Sequence, residues 1–127
     1  MARILIADDE TSVRSLLVRI VEKMGHEPVE ACNGKEAFDL FRHGAFDLSL
    51  IDIQMPEMDG IGFLEHAKEI DPEAVIIVMT GFPSAETIIQ TIEDDGYTYI
   101  AKPVHVDQVI DLINRGLEFR NQQKNKE

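Results

Sequence analysis

The stretch "DLSLIDIQMPEMDG", residues 47–60, places the acid Asp52 near the end of an apolar run that Met-Pro then stops. Its first seven residues are almost continuously apolar instead of alternating, which is typical of a parallel strand covered on both faces. An acid that ends a buried strand loses hydration unless another group compensates it. We therefore predict that Asp52 is a functional residue.

Four other short runs have the composition of strands. The runs "RILIA" from Arg3 and "AVIIVMT" from Ala74 are also nearly continuous in apolar residues. The run "EPVEA" from Glu27 is more polar and suits the edge of a sheet, and "YTYIA" from Tyr97 is the last. The sequence thus predicts five strands, with the more apolar ones inside the sheet.

Segments with the 3.6-residue period of amphipathic helices follow the strands. The first is the clearest, because an apolar stripe runs from Val13 to Met24 and Gly25 closes it, while Thr11 and Ser12 offer N-caps. The other four groups of apolar residues begin at Ala37, Ile61, Ala85 and Val106. This alternation predicts an α/β fold, a five-stranded parallel sheet with helices on both faces.

Length and charge limit the possible functions. A chain of 127 residues fits one domain, which we place at residues 1–120, followed by a polar tail or linker at 121–127. The 24 acidic and 12 basic residues give a net charge of -12, which repels nucleic acid and anionic lipid. No segment reads as a secretion signal or a membrane span, so we expect a cytoplasmic protein. The single cysteine, Cys32, excludes an internal disulfide and is expected to pack as a small apolar residue.

Polar side chains follow four of the predicted strands, at the edge where open α/β sheets bind ligands. The first strand ends in Asp8 and Asp9, the third at Asp52, the fourth at Thr80 and the fifth at Lys102. Each has a structural alternative: the acid pair favours a helix N-terminus, the threonine suits a turn, and a lysine is often merely solvated. Four such coincidences at four strand ends are less economical than one shared site.

The charges of this set indicate its chemistry. Carboxylates about 4 Å apart repel by about 4 kcal/mol at an effective dielectric near 20, so Asp8, Asp9 and Asp52 need cations nearby. Lys102 can cancel one charge, and Mg²⁺, which prefers oxygen ligands, can cancel two more. Such a site suits phosphoryl transfer, with Asp52 as the nucleophile, Mg²⁺ and Lys102 as the neutralising cations, and Thr80 as a hydrogen-bonding group.

These residues resemble the receiver domain of bacterial two-component response regulators, the CheY-like family. The resemblance rests on Asp8-Asp9, on "DIQMPEMDG" from Asp52, on "MTG" from Met79 and on "YIAKP" from Tyr99, in the family's order and separation. It spans nearly the whole chain and implies a flavodoxin-like fold with strand order 2-1-3-4-5.

The resemblance also implies a role for each residue at the metal site. Asp52 corresponds to the phosphoacceptor. Asp9 and Asp52 correspond to direct Mg²⁺ ligands, together with the backbone carbonyl of Gln54, and Asp8 corresponds to a ligand that acts through water. Thr80 and Lys102 correspond to the residues that bind the phosphoryl oxygens.

Switching is implied by the same resemblance. Tyr99 corresponds to an aromatic residue that turns inward when the threonine moves, and the Lys-Pro bond of the family is commonly cis. One departure is Asp95-Gly96, where relatives often have Gly-Ala, which puts the usual switching geometry in question.

The resemblance implies a phosphorylation-dependent switch and not an enzyme that turns over a metabolite. The protein would take a phosphoryl group from a histidine kinase or histidine phosphotransfer protein and change the face made by its last two helices and fifth strand. It would catalyse its own phosphorylation and dephosphorylation, as a monomer or a phosphorylation-dependent dimer, without binding nucleic acid or membrane. One alternative is an Mg²⁺-dependent phosphatase with an aspartyl nucleophile, although that chemistry favours an acid where Gln54 stands. Another is a receiver-like binding module that is never phosphorylated.

Overall fold

A computed structural model of the protein describes residues 1–53, 60–81 and 98–125. Within these residues it has five strands and four helices. The strands are β1 Arg3–Ala7, β2 Glu27–Ala31, β3 Leu48–Asp52, β4 Ile76–Thr80 and β5 Thr98–Ala101. The helices are α1 Thr11–Lys23, α2 Gly34–His43, α3 Gly60–Ile70 and α4 Val106–Asn125. The helix predicted around Ala85 and the start of the fifth predicted strand, Tyr97, lie outside the described residues.

The five strands form one parallel sheet in the order β2-β1-β3-β4-β5, which confirms the predicted fold. Every residue of the inner strands β3 and β4 is buried, as their continuous apolar runs predicted. The polar strand β2 lies at one edge, also as predicted, and only Ala31 in it is buried. The inner strands β1, β3 and β4 therefore carry the core, and their carboxyl ends meet at one edge of the sheet.

Successive residues of the strands point to opposite faces of the sheet and into two separate apolar clusters. On one face, Leu5 and Ile51 pack with Phe63 of α3 and with residues of α2. On the other face, Ile4 and Leu50 pack with residues of α1 and α4. Helices thus cover both faces of the sheet, and the sheet itself becomes a rigid support for the side chains at its edge.

The ends of α1 agree with the sequence only in part. Gly25 follows the helix with a φ of 86°, a backbone conformation that favours glycine, so the predicted closure is confirmed. The predicted caps were wrong: the helix begins at Thr11, and Glu10 occupies the N-cap position without a side-chain capping bond. Cys32 was also misjudged, because it is exposed. Its short side chain sits in the turn after β2, beside the N-cap Asn33 of α2 rather than under a helix.

Helix α4 packs closely on the sheet and runs to Asn125. The close approach occurs at Gly116, where a Cβ would lie 2.5 Å from Leu48 Cδ1 and 3.1 Å from Val75 Cγ1. Arg120, one turn after Gly116, fixes the same helix to the segment before β4. Its Nη1 donates to the carbonyl oxygen of Glu73 and pairs with Asp71. Among the helices of the described residues, none is long and apolar enough to cross a membrane.

Candidate functional site

Asp52 is the last residue of β3, between the carboxyl ends of β1 and β4, and is only 3% exposed. One of its carboxylate oxygens, Oδ2, accepts a hydrogen bond of 2.9 Å from Lys102 Nζ. The rigid inner strand thus presents the carboxylate at the sheet edge, as the sequence predicted. The hydrogen bond from the ammonium holds this buried carboxylate in a fixed position.

Asp8 follows β1 directly, and its side chain is fully buried. Its Oδ1 accepts a 2.8 Å hydrogen bond from the backbone N–H of Glu10. Its Oδ2 lies 3.1 Å from Lys102 Nζ but accepts no hydrogen bond of good geometry from any described residue. The loop is held from the far side by Arg14, whose Nη1 donates to the Asp8 carbonyl oxygen at 2.6 Å. Asp8 therefore directs a buried, incompletely satisfied oxygen into the site.

Lys102 supplies the positive charge at the centre of the site. Its Nζ lies 2.9 Å from Asp52 Oδ2, 3.1 Å from Asp8 Oδ2 and 3.2 Å from Glu10 Oε1. Its backbone N–H donates to the carbonyl oxygen of Thr80 at 2.7 Å, which ties the end of β5 to the end of β4. The Lys102–Pro103 bond is cis, as the family resemblance implied. The ammonium is thus surrounded by carboxylates contributed by two other strand ends.

The pKa values of Asp8 and Lys102 are both raised, but for different reasons. Burial raises the pKa of Asp8, and the hydrogen bond from the Glu10 N–H and the contact with the Lys102 ammonium offset this only in part. Burial alone would lower the pKa of Lys102, but its contacts with Asp52 and Asp8 outweigh burial and raise that pKa. Lys102 therefore stays charged throughout the physiological range, whereas the ionised form of Asp8 is held at a cost in folding free energy.

Thr80 lies on β4, which pairs with β3, and Tyr99 lies on β5, which pairs with β4. Thr80 ends β4 and is 4% exposed, so its hydroxyl belongs to the same buried edge as Asp52. Tyr99 is half-buried in β5, opposite Val78 of β4. The neighbouring Ile100 points into the cluster under α1 and α4, so the Tyr99 side chain extends from the opposite face of the sheet.

The acids that the structure brings together are not quite the predicted set. Asp8, Glu10 and Asp52 each have a carboxylate oxygen that lies within 4.8 Å of a carboxylate oxygen of the other two. Asp9, predicted as a direct metal ligand, is exposed and does not belong to this group. Glu10 was missed, although it directly follows the acid pair in "ADDE" and precedes the first helix. Gln54, whose carbonyl was the other predicted ligand, lies outside the described residues.

The residues present fit a magnesium ion. Every candidate donor is a carboxylate oxygen, which suits a hard divalent cation, and the unsatisfied Asp8 Oδ2 is a buried oxygen directed into the group. Three carboxylates and the Lys102 ammonium leave a net charge of −2, which one divalent cation would neutralise. The geometry thus supports an acidic cation site beside a nucleophilic carboxylate.

Comparison with known proteins defines the class. The sequence matches the family described as response regulator receiver domain over residues 4–114. The chain therefore belongs to the response regulator receiver domain family of two-component signalling, as its motifs indicated. The solved structure of a CheY-like receiver domain protein from Methanospirillum hungatei JF-1 has the same fold, with a TM-score of 0.89 and 31% identity over 97% of this chain and 98% of that one.

Relatives in sequence include both short and long proteins. Chemotaxis protein CheY of Bacillus subtilis is 39% identical over 116 residues, which cover 91% of this chain and 97% of that protein. Sporulation initiation phosphotransferase F of the same organism is 34% identical over 119 residues, or 94% of this chain and 96% of that protein. Regulatory protein AtoC of Escherichia coli is 34% identical over 96% of this chain, but the match covers 26% of its own length.

Proposed function

We propose that this receiver domain is a phosphorylation switch in which Asp52 accepts the phosphoryl group. The observation that carries the proposal is the placement of the Asp52 carboxylate, which ends a fully buried strand and lies 2.9 Å from the Lys102 ammonium. A histidine kinase or a histidine phosphotransfer protein is the phosphodonor. The name of the similar B. subtilis phosphotransferase F is consistent with this kind of chemistry.

The transfer step needs only the carboxylate and charge neutralisation. An Asp52 oxygen attacks phosphorus and forms a P–O bond while the P–N bond of the donor phosphohistidine breaks, and the departing nitrogen keeps the electron pair. Lys102 neutralises charge on the transferring oxygens, because its ammonium already contacts Asp52. When bound, Mg²⁺ would supply further neutralisation of those oxygens. Hydrolysis reverses the modification, since water attacks phosphorus and releases phosphate and the free Asp52 carboxylate.

The roles of the surrounding residues follow the family resemblance. By that resemblance, Asp8, Asp9, Asp52 and the carbonyl of Gln54 would hold Mg²⁺, with Asp8 acting through water. The exposed Asp9 lies next to the buried Asp8 in the chain. Thr80 and Lys102 hold the phosphoryl oxygens, and the main-chain hydrogen bond from the Lys102 N–H to the Thr80 carbonyl oxygen keeps the two residues side by side.

Phosphorylation alters the surface made by the last two helices and the fifth strand, where a downstream partner binds. Thr80 and Tyr99 couple the site to that surface by biasing an existing two-state equilibrium. The protein acts in the cytoplasm as a monomer or a phosphorylation-dependent dimer. It catalyses its own phosphorylation and dephosphorylation but does not turn over a metabolite.

Treatment with acetyl phosphate and Mg²⁺ tests the proposal. We expect the intact protein to gain the mass of one phosphoryl group, in a linkage that survives acid and is cleaved by hydroxylamine, as an acyl phosphate is. The variant Asp52→Asn should gain no such mass, while Asp39→Asn, which removes an exposed acid of α2, should behave as wild type. An unchanged adduct on Asp52→Asn would move the acceptor to another residue. Release of phosphate from simple phosphate esters with turnover would favour the phosphatase alternative instead.

A further inference from the structure

Glu10 is an exposed acid whose carboxylate nevertheless reaches the buried site. It occupies the N-cap position of α1, yet its side chain makes no capping bond to that helix. Instead Glu10 Oε1 accepts a hydrogen bond of 3.2 Å from Lys102 Nζ, although the two residues are 92 positions apart in the chain. The carboxylate is therefore engaged with the site and not with the helix that it precedes.

The backbone of Glu10 acts on the same site from a second direction. Its N–H donates to Asp8 Oδ1 at 2.8 Å, which fixes the orientation of the Asp8 carboxylate. The other oxygen of that carboxylate, Oδ2, then faces Lys102 at 3.1 Å without a hydrogen bond from any described residue. This oxygen is thus buried and held by the ammonium through an ion pair. Glu10 thus helps to orient both the Lys102 ammonium and the Asp8 Oδ2 that faces this ammonium.

Charge gives Glu10 a consequence for cation binding. Its oxygen lies within 4.8 Å of the chosen oxygens of Asp8 and Asp52, so any divalent cation held by those two acids also experiences the Glu10 charge. With Glu10 ionised, the group of three acids and Lys102 carries −2, and without it −1. Because its side chain is 58% exposed, solvent screens this contribution but does not remove it.

We infer that Glu10 is a positioning residue of the site: it anchors the Lys102 ammonium and strengthens the binding of the divalent cation that Asp8 and Asp52 hold. This inference rests on the proposed function, which assigns Mg²⁺ to the site. It adds a residue that lies outside the predicted set of metal ligands and phosphoryl-binding groups. It also explains why an exposed acid at the start of a helix forgoes its capping bond.

Mg²⁺ titration at fixed ionic strength tests the inference, by calorimetry on the unphosphorylated protein. We expect Glu10→Gln to bind Mg²⁺ about tenfold more weakly than wild type, as expected for the loss of one screened charge near a divalent ion. The conservative variant Glu10→Asp, which keeps the charge, should stay within about threefold of wild type. The matched control is Glu22→Gln, which removes an exposed acid from the other end of the same helix and should leave the Mg²⁺ affinity unchanged.

The outcomes separate this inference from the proposed function. Wild-type uptake of Mg²⁺ with equal affinity in Glu10→Gln would overturn the positioning role and leave the proposed function standing. Equal weakening in Glu10→Gln and Glu22→Gln would also overturn it, because the effect would then reflect net charge alone. Absence of Mg²⁺ uptake by the wild type would overturn both. Thermal unfolding of Glu10→Gln without Mg²⁺ distinguishes a loss of Mg²⁺ affinity from a folding defect. Because Glu10 is exposed, we expect no folding defect.

Discussion

Replacing Asp8 by asparagine should stabilise the protein when Mg²⁺ is absent, although it removes an ion pair. The Asp8 side chain is fully buried, and burial raises its pKa despite the contact with Lys102. A raised pKa for an acid means that the folded state holds the carboxylate at a cost. Asparagine has nearly the same shape and keeps an oxygen that can accept the hydrogen bond from the Glu10 N–H.

The expected size follows from three opposing contributions. At an effective dielectric near 20, the attraction to Lys102 at 3.1 Å is worth about 5 kcal/mol. Repulsion from the Asp52 carboxylate, with the nearest oxygens within 4.8 Å, cancels about 3 kcal/mol of it. The desolvation penalty of a buried ion is several kcal/mol, which exceeds the remaining attraction. We therefore expect Asp8→Asn to raise the free energy of unfolding by about 1 to 2 kcal/mol at neutral pH.

The pH dependence provides an independent check on the cause. Because the folded-state pKa of Asp8 lies above its ordinary value of 3.8, the folded protein binds the proton more tightly than the unfolded chain. Stability attributable to Asp8 is then greatest below that ordinary value and is lost as the pH rises through the folded-state pKa. The advantage of Asp8→Asn should accordingly be larger at neutral pH than in acid, and it should vanish below the ordinary pKa of 3.8, where Asp8 is protonated in both the folded and the unfolded protein.

Urea denaturation in buffer with a chelator measures this difference, at several pH values. The control is Asp9→Asn, which neutralises the adjacent but exposed acid and should change the free energy of unfolding by less than about 0.5 kcal/mol. Saturating Mg²⁺ should reduce the difference in the free energy of unfolding between Asp8→Asn and the wild type, because the ion stabilises the wild type more. A variant less stable than wild type at neutral pH without Mg²⁺ would refute the reasoning, since the ion pair would then outweigh burial.

Three further substitutions test other parts of the structure. Lys102→Met removes the ammonium that lies within 3.2 Å of the three carboxylates. At saturating Mg²⁺ it should slow phosphorylation of the protein by acetyl phosphate by about 100-fold or more. A rate near that of the wild type would contradict the role assigned to Lys102. Gly116→Ala places a Cβ 2.5 Å from Leu48 Cδ1. Although alanine has the higher helix propensity, this crowding should lower the free energy of unfolding by about 1 kcal/mol. A more stable variant would show that α4 can move off the sheet. Asn33→Ala removes the side-chain oxygen that accepts a 2.8 Å hydrogen bond from the Glu36 N–H. In urea denaturation it should lower the free energy of unfolding by about 1 kcal/mol, without affecting phosphorylation. An unchanged stability would show that the cap contributes nothing.

The fold could be predicted from the sequence because burial leaves a direct mark on strand composition. Strands β3 and β4 are buried at every position, and their apolar runs do not alternate, whereas the edge strand β2 does not show such a run. Helix ends were harder, since Thr11 and Ser12 are good capping residues by type. The chain enters α1 one residue earlier, at Glu10, whose side chain is drawn to Lys102 instead.

The site could be predicted only as far as strand ends determine it. Asp8, Asp52 and Thr80 occupy the ends of β1, β3 and β4, and parallel strands bring such ends together. Glu10 lies beyond a strand end, so its position depends on how the loop before α1 turns and on the reach of its side chain. Neither property has a periodic signature in the sequence, and the same loop geometry turns Asp9 outward.

The most direct test of the phosphorylation switch is chemical mapping of the modified residue. The protein is phosphorylated with acetyl phosphate and Mg²⁺, reduced with borohydride so that an aspartyl phosphate becomes homoserine, and sequenced by peptide mass spectrometry. Homoserine at position 52 is the predicted result, with unmodified aspartate at Asp8 and Asp9. Homoserine at another aspartate, or none at all in protein that has taken up Mg²⁺, would contradict the assignment of Asp52 as the acceptor.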